Sequence, residues 1–124
     1  MPSLLIFLAA CDQPLGTVID ISGRWTGTAT NFIDYGDGTA SLIIIIDQED
    51  EFISGTLTAS PGQQHQFTGS ILRNEVFISW RSLEDGIDYR FTGLLTGRSI
   101  SGTWRMGDTK TFETLKDGKW SVSR

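Results

Sequence analysis

From Ile21 to the end of this 124-residue chain, apolar residues or glycines alternate with Ser, Thr and charged residues in short runs. A period of two puts successive side chains on opposite faces of an extended strand. In the first run Ile21, Gly23, Trp25, Gly27 and Ala29 share one side, and Ser22, Arg24, Thr26, Thr28 and Thr30 share the other. The division returns in Ile100, Gly102, Trp104 and Met106 against Ser99, Ser101, Thr103 and Arg105. No stretch after Ile21 has helical spacing. Strands are predicted at 21–30, 40–47, 52–59, 66–72, 75–82, 87–95, 98–106 and 110–122, with Asp117-Gly118 a point where the last can break.

Eight short strands in sequence, joined mostly by tight turns, predict an antiparallel up-and-down meander. Left open, such a sheet would wet its apolar face and leave two edges unpaired, so closure into an all-β, eight-stranded barrel is the economical solution. An interior of eight strands is either filled by side chains or holds one small ligand. A membrane-spanning barrel would turn its apolar residues outward, and the Ser/Thr/Arg faces argue against that. Short phrases repeat along the chain: Ile21-Ser-Gly-Arg-Trp-Thr-Gly-Thr28, Ile53-Ser-Gly-Thr-Leu-Thr58, Phe67-Thr-Gly-Ser70, Phe91-Thr-Gly-Leu94 and Ile100-Ser-Gly-Thr-Trp-Arg105. A mid-strand glycine at each repeat permits the close backbone approach a small barrel demands.

Ser22-Gly23-Arg24-Trp25-Thr26-Gly27 resembles the Gly-x-Trp opening of the calycins, the superfamily of lipocalins and avidins, and Ser101-Gly102-Thr103-Trp104 echoes it. The resemblance implies that Trp25 closes one end of the barrel as its floor. Phe52-Ile-Ser-Gly-Thr-Leu-Thr-Ala-Ser60 is similar to the second hairpin of avidins. The avidin tyrosine and serine that hydrogen-bond biotin would fall at Leu57 and Ala59, and the asparagine after the first Trp at Gly27. None of these side chains can donate, so the resemblance does not extend to the polar half of a biotin site.

The first residues carry a separate message. Leu4 to Ala10 form an apolar run ending in Leu-Ala-Ala-Cys11, as an export signal does. The run is too short to cross a bilayer as a helix. It resembles the lipobox of bacterial lipoproteins, which implies cleavage before Cys11, a lipid anchor on that cysteine and a place in the cell envelope facing the periplasm or the surface. No Lys or Arg precedes the run, which suggests a truncated or misassigned start. An alternative is that Leu4 to Ala10 form an ordinary first strand with Cys11 a buried thiol. The expected organisation is a signal at 1–10, the lipidated cysteine and a tether at 11–20, and the barrel at 21–124. Asp12, after the anchor, tends to hold enterobacterial lipoproteins at the inner membrane, but the rule is not general and the choice of membrane stays open. Cys11 is the only cysteine, so no disulfide or thiolate metal site can form within one chain. A net charge of −5 argues against nucleic acid as a partner.

No catalytic or cofactor signature stands out, and a non-enzymatic role is expected. His65, the only histidine, is assigned to a turn in Ser60-Pro-Gly-Gln-Gln-His65-Gln66. Asp34 and Asp37 lack the alternating ligands of a calcium loop, and Asp37-Gly38 reads as a hairpin turn. Asp47, Glu49, Asp50 and Glu51 read as soluble gatekeepers beside the apolar Leu42 to Ile46. Trp25, Trp80, Tyr89, Trp104 and Trp120 fall on inward faces, where they either line a pocket for a small apolar ligand or fill the core. Alternate loops of a meander share an end, so Asp34, Tyr35, Asp37, His65, Glu84, Asp85 and Asp108 gather where a mouth would be. The loop end could also recognise an envelope protein if the interior is packed.

Overall fold

The computed structural model describes residues 18–34, 36–60 and 62–124. The expected signal at 1–10 and Cys11 lie outside the described residues, as does Tyr35. Eight antiparallel strands run in chain order: β1 (Gly23–Ala29), β2 (Ala40–Glu49), β3 (Phe52–Ala59), β4 (Gln63–Leu72), β5 (Glu75–Ser82), β6 (Ile87–Thr96), β7 (Ser99–Asp108) and β8 (Thr114–Ser123). Each pairs with the next, and β1 pairs with β8 to close the barrel. The expected eight-stranded meander is therefore the fold.

Alternation decides which side of each strand is inside. In β2, Leu42, Ile44 and Ile46 are buried while Ile45 between them is 39% exposed, so five successive aliphatic residues split between core and wall. Among the described residues the buried set is entirely apolar. The repeat glycines work as expected. A Cβ on Gly27 would run into the Ser121 carbonyl oxygen of β8, and one on Gly55, whose φ is 154°, into the Ile45 carbonyl of β2. Strands cross too closely at these points for any side chain.

Most predicted strand ends lie within two residues of those observed, and two starts move further. β4 begins at Gln63, so His65 lies in a strand, not a turn. β8 begins at Thr114, because the Asp108 carboxylate accepts hydrogen bonds from the backbone N–H of Lys110 (2.8 Å) and Thr111 (3.0 Å) and bends the chain into a turn. That strand also runs unbroken through Asp117-Gly118, which pair with Arg105 and Trp104.

Two ladders are short. β1 and β8 pair only over Thr26–Ala29 against Trp120–Ser123. β4 and β5 pair only over Thr68–Leu72 against Glu75–Ser79, leaving Gln63–Phe67 and Trp80–Ser82 outside the ladder. By contrast β6 and β7 pair from Ile87–Asp108 to Thr96–Ser99.

The floor is closed by Trp25, as the calycin resemblance implies. Its ring is fully buried, its indole N–H donates to the Ile21 carbonyl (2.9 Å), and the Arg124 guanidinium sits 4.5 Å from the ring centroid. Arg124 also donates to the carbonyls of Ser22 (2.7 Å) and Asp20 (3.0 Å), pinning the chain that enters β1.

Candidate functional site

The loops after β1, β3, β5 and β7 meet at the end opposite Trp25, and this mouth is where the interior becomes polar. Inward positions of β4, β5 and β6 bring His65, Trp80 and Tyr89 into one stack. His65 and Trp80 lie 4.8 Å apart at 16°, and Trp80 and Tyr89 lie 4.7 Å apart at 15°. His65 pairs with Leu57 across the β3–β4 ladder, so imidazole faces the interior at the level where the resemblance placed only Leu57 and Ala59.

Two nitrogens of this stack, His65 Nε2 and Trp80 Nε1, are buried and have no hydrogen-bond partner among the described residues. Buried polar atoms left unpaired are rare in folded proteins, and each costs about 1–3 kcal/mol. The other three tryptophans are different. Trp25 Nε1 donates to Ile21, Trp104 Nε1 to the Thr30 carbonyl (2.9 Å) and Trp120 Nε1 to the Thr92 carbonyl (3.0 Å). Trp25, Trp104 and Trp120 are each at most 2% exposed, so the interior beside them is packed, from the floor at Trp25 up to Trp104 under the mouth-end loop. Burial lowers the His65 pKa below its ordinary value of 6.5, so the imidazole is neutral at pH 7 and offers one donor and one acceptor nitrogen. Burial, followed by the charges of Asp85 and Asp34, raises the Tyr89 pKa, so the phenol keeps its proton.

The mouth is roofed from above. Phe32, in the β1–β2 loop, folds back because its N–H and that of Ile33 donate to the Gly38 carbonyl (2.7 and 3.1 Å). Its ring packs edge-on against Trp104 at 4.8 Å and also touches Tyr89 and Phe91. Nothing in the sequence singled Phe32 out, since a lone aromatic in a loop shows no periodicity. Asp34 reaches the mouth by an ion pair with Lys116 on β8, and Asn31 Nδ2 donates to the Asp117 carbonyl (2.8 Å).

The side of the mouth is less closed. Where the β4–β5 ladder stops, an outer groove of about 580 Å³ is lined by Gln66, Phe67, Thr68, Ser79, Trp80 and Arg81 together with parts of β2 and β3. The stack therefore backs onto a parting in the wall.

The remaining acidic candidates serve their own loops. Asp37 Oδ1 accepts from the Thr39 N–H (2.9 Å), Asp85 accepts from Ser82 Oγ (2.9 Å), and Asp108 forms the turn described above. Glu84 is exposed. Among the described residues no group of three or more His, Cys, Asp or Glu side chains could hold a metal ion.

Comparison of the whole structure with solved ones finds the bradavidin2–biotin complex, with a TM-score of 0.57 over 86% of this chain and 99% of that one, at 18% sequence identity. The fold is that of an avidin-type barrel. No family model and no curated protein matches the chain. The avidin-type barrel here keeps its polar interior atoms at His65 and Trp80, not at the positions of Gly27, Leu57 and Ala59 that the resemblance pointed to.

Proposed function

We propose that this protein is a lipid-anchored module of the bacterial envelope, not an enzyme, whose barrel binds a small ligand in the upper interior at His65, Trp80 and Tyr89. The observation that carries the reading is the pair of buried, unpartnered nitrogens on two stacked rings. They ask for a compact, mostly apolar molecule with a planar face for the stack. It would carry an acceptor for the Trp80 N–H and a hydrogen-bonding group for His65. The biotin complex of the avidin-type neighbour supports a small-molecule occupant of this fold. The packing around Trp25, Trp104 and Trp120 limits that occupant to the side of the interior at His65, Trp80 and Tyr89, next to the β4–β5 parting.

Tryptophan emission and thermal unfolding, followed with biotin and a panel of planar heterocyclic amides, test the ligand site. Binding that weakens in both His65→Leu and Trp80→Phe is the expected result. A panel without effect, or hits that bind both variants unchanged, would overturn it. The anchor is supported by Leu-Ala-Ala-Cys11. Intact mass of protein made in a bacterial host should show residues 1–10 removed and diacylglycerol on Cys11, and an unmodified Met1 terminus would overturn that part.

A second reading, recognition of an envelope protein by the loop end, draws on the packed interior around Trp25, Trp104 and Trp120. Capture of a protein partner that Phe32 and Asp34 substitutions release, with no small-molecule effect on emission, would favour it.

A further inference from the structure

The outer surface is mostly Ser, Thr and charge. Ile45 on β2, Leu115 on β8 and Leu83 and Phe112 on the mouth-end loops are exposed as well, but one group of exposed apolar side chains on the wall is contiguous by register. On the outward faces of β3 to β6, Phe52, Leu72, Phe77 and Leu94 are exposed by 63%, 60%, 39% and 51%. Register makes them neighbours. Phe52 and Phe77 both pair with Ser70, and Leu72 and Leu94 both pair with Glu75. Each of the four is thus diagonal to the next across a ladder, within reach for side chains of this size. The result is a continuous apolar band. Bands of this kind on an otherwise polar protein mark interaction surfaces.

The position of the band says what covers it. It rims the floor end, at the Arg73–Asn74 turn, away from the mouth. The chain enters at the same end. Val18 and Ile19 are exposed, and Gln48 Nε2 donates to the Ile19 carbonyl (2.8 Å) and to the Asp50 carbonyl (2.9 Å). That holds the entering chain against the β2–β3 turn from which Phe52 leads. Seven residue steps separate Cys11 from Val18, at most about 25 Å of extended chain. Arg73 and Arg98, on the β4–β5 and β6–β7 turns, flank the band with cations that can meet lipid phosphate, while Glu75 within the band and Glu49, Asp50 and Glu51 at the β2–β3 turn beside Phe52 carry the opposing charge.

We infer that this band seats the barrel on the bilayer interface, laying the floor end and the β3–β6 wall against lipid headgroups and leaving the mouth turned away. The orientation rests on the anchoring of Cys11 proposed above. The two acyl chains of a diacylglycerol on Cys11 would already hold the protein to the membrane, so the part played by the band is to fix which face meets the lipid.

The test uses the full lipidated chain in phosphatidylcholine vesicles. With Cys11 blocked as a thioether, Phe77→Cys or Leu94→Cys supplies one reactive thiol for an environment-sensitive fluorophore, and Ser101→Cys or Ser121→Cys does so on the opposite wall. Acyl-chain spin labels should quench the label at Phe77 and Leu94 several-fold more than at Ser101 and Ser121. Equal quenching on both walls would overturn the inference. So would self-association of the Cys11→Ser chain that Phe77→Thr and Leu94→Thr abolish, since a second copy would then be the occupant. If mass spectrometry finds Cys11 unmodified, the anchor reading fails separately. Vesicle flotation of the Cys11→Ser chain then decides the surface alone. Flotation lost in Phe77→Thr/Leu94→Thr supports the band, and no flotation overturns it.

Discussion

His65 and Trp80 stack 4.8 Å apart near the mouth of the barrel, and each carries a buried nitrogen without a hydrogen-bond partner among the described residues. Their strands part just there, because the β4–β5 ladder ends at Thr68 and Ser79. Side-chain stacking thus continues the wall where backbone pairing stops.

An unpaired buried nitrogen is a cost that a suitable ligand would remove, and so would an apolar side chain. His65→Leu should therefore stabilise the ligand-free protein by about 1 kcal/mol in urea unfolding. Destabilisation of that size would mean that His65 Nε2 is satisfied in solution.

The lowered His65 pKa sets a direction with pH. Below the ordinary value of 6.5 the unfolded chain takes up a proton that the folded imidazole resists, so the unfolded state binds more protons and stability falls as pH drops. The contribution is fully present above that value and is lost progressively beneath it. Subtracting the His65→Leu profile from that of the unsubstituted protein, between about pH 5 and 7.5, isolates this residue from the carboxylates, which titrate lower. A flat difference would contradict the burial of the ring.

Phe32 roofs the mouth while belonging to a loop. Phe32→Ala should destabilise the fold by about 3 kcal/mol, the lower part of the range for a buried aromatic because the site lies at the rim. It should also admit an apolar dye beside Tyr89, Phe91 and Trp104, read as enhanced dye emission. Loss of stability without dye uptake would show that the loop collapses into the space.

Gly27→Ala places a methyl group against the Ser121 carbonyl at the closing seam. Strands must separate to accept it, and the expected loss is about 3 kcal/mol, at the upper end for overpacking. Thermal unfolding measures it. A change within about 0.5 kcal/mol, the range of ordinary surface substitutions, would show that β1 and β8 are freer to move apart than their register suggests.

Arg124→Ala removes the cation above Trp25 and two hydrogen bonds to Ser22 and Asp20. A loss of about 1–2 kcal/mol is expected, with earlier amide exchange at residues 20–22 than in the strands. Unchanged exchange there would mean that the segment is held by other contacts.

The strand pattern was legible because most inward positions are apolar or glycine, and Gly27, Gly55 and Trp25 hold the places that the pattern assigned. His65 was harder to read. The run Gln63-Gln64-His65-Gln66 has no apolar member to mark an inward face, and Pro61-Gly62 before it signal a turn. Only pairing with Thr56–Ala59 makes those residues a strand. Phe32 and Arg124 were silent for a related reason. Their roles depend on contacts with Trp104 and Trp25, respectively 72 and 99 positions away, and no local period encodes such a contact. The tryptophans were legible as inward, but which one lacks a hydrogen-bond acceptor depends on the path of neighbouring backbone.

The two short ladders divide the barrel in a way its closed outline conceals. Mechanically it is a pair of four-stranded sheets, β1–β4 and β5–β8, sewn together along β4–β5 and β1–β8 and joined covalently at Arg73–Asn74. Each half carries its own glycine-marked hairpins and one of the two Gly-x-Trp phrases. A chain cut at that turn is thus divided along its natural fold line, into fragments suited to complementing one another as a split reporter.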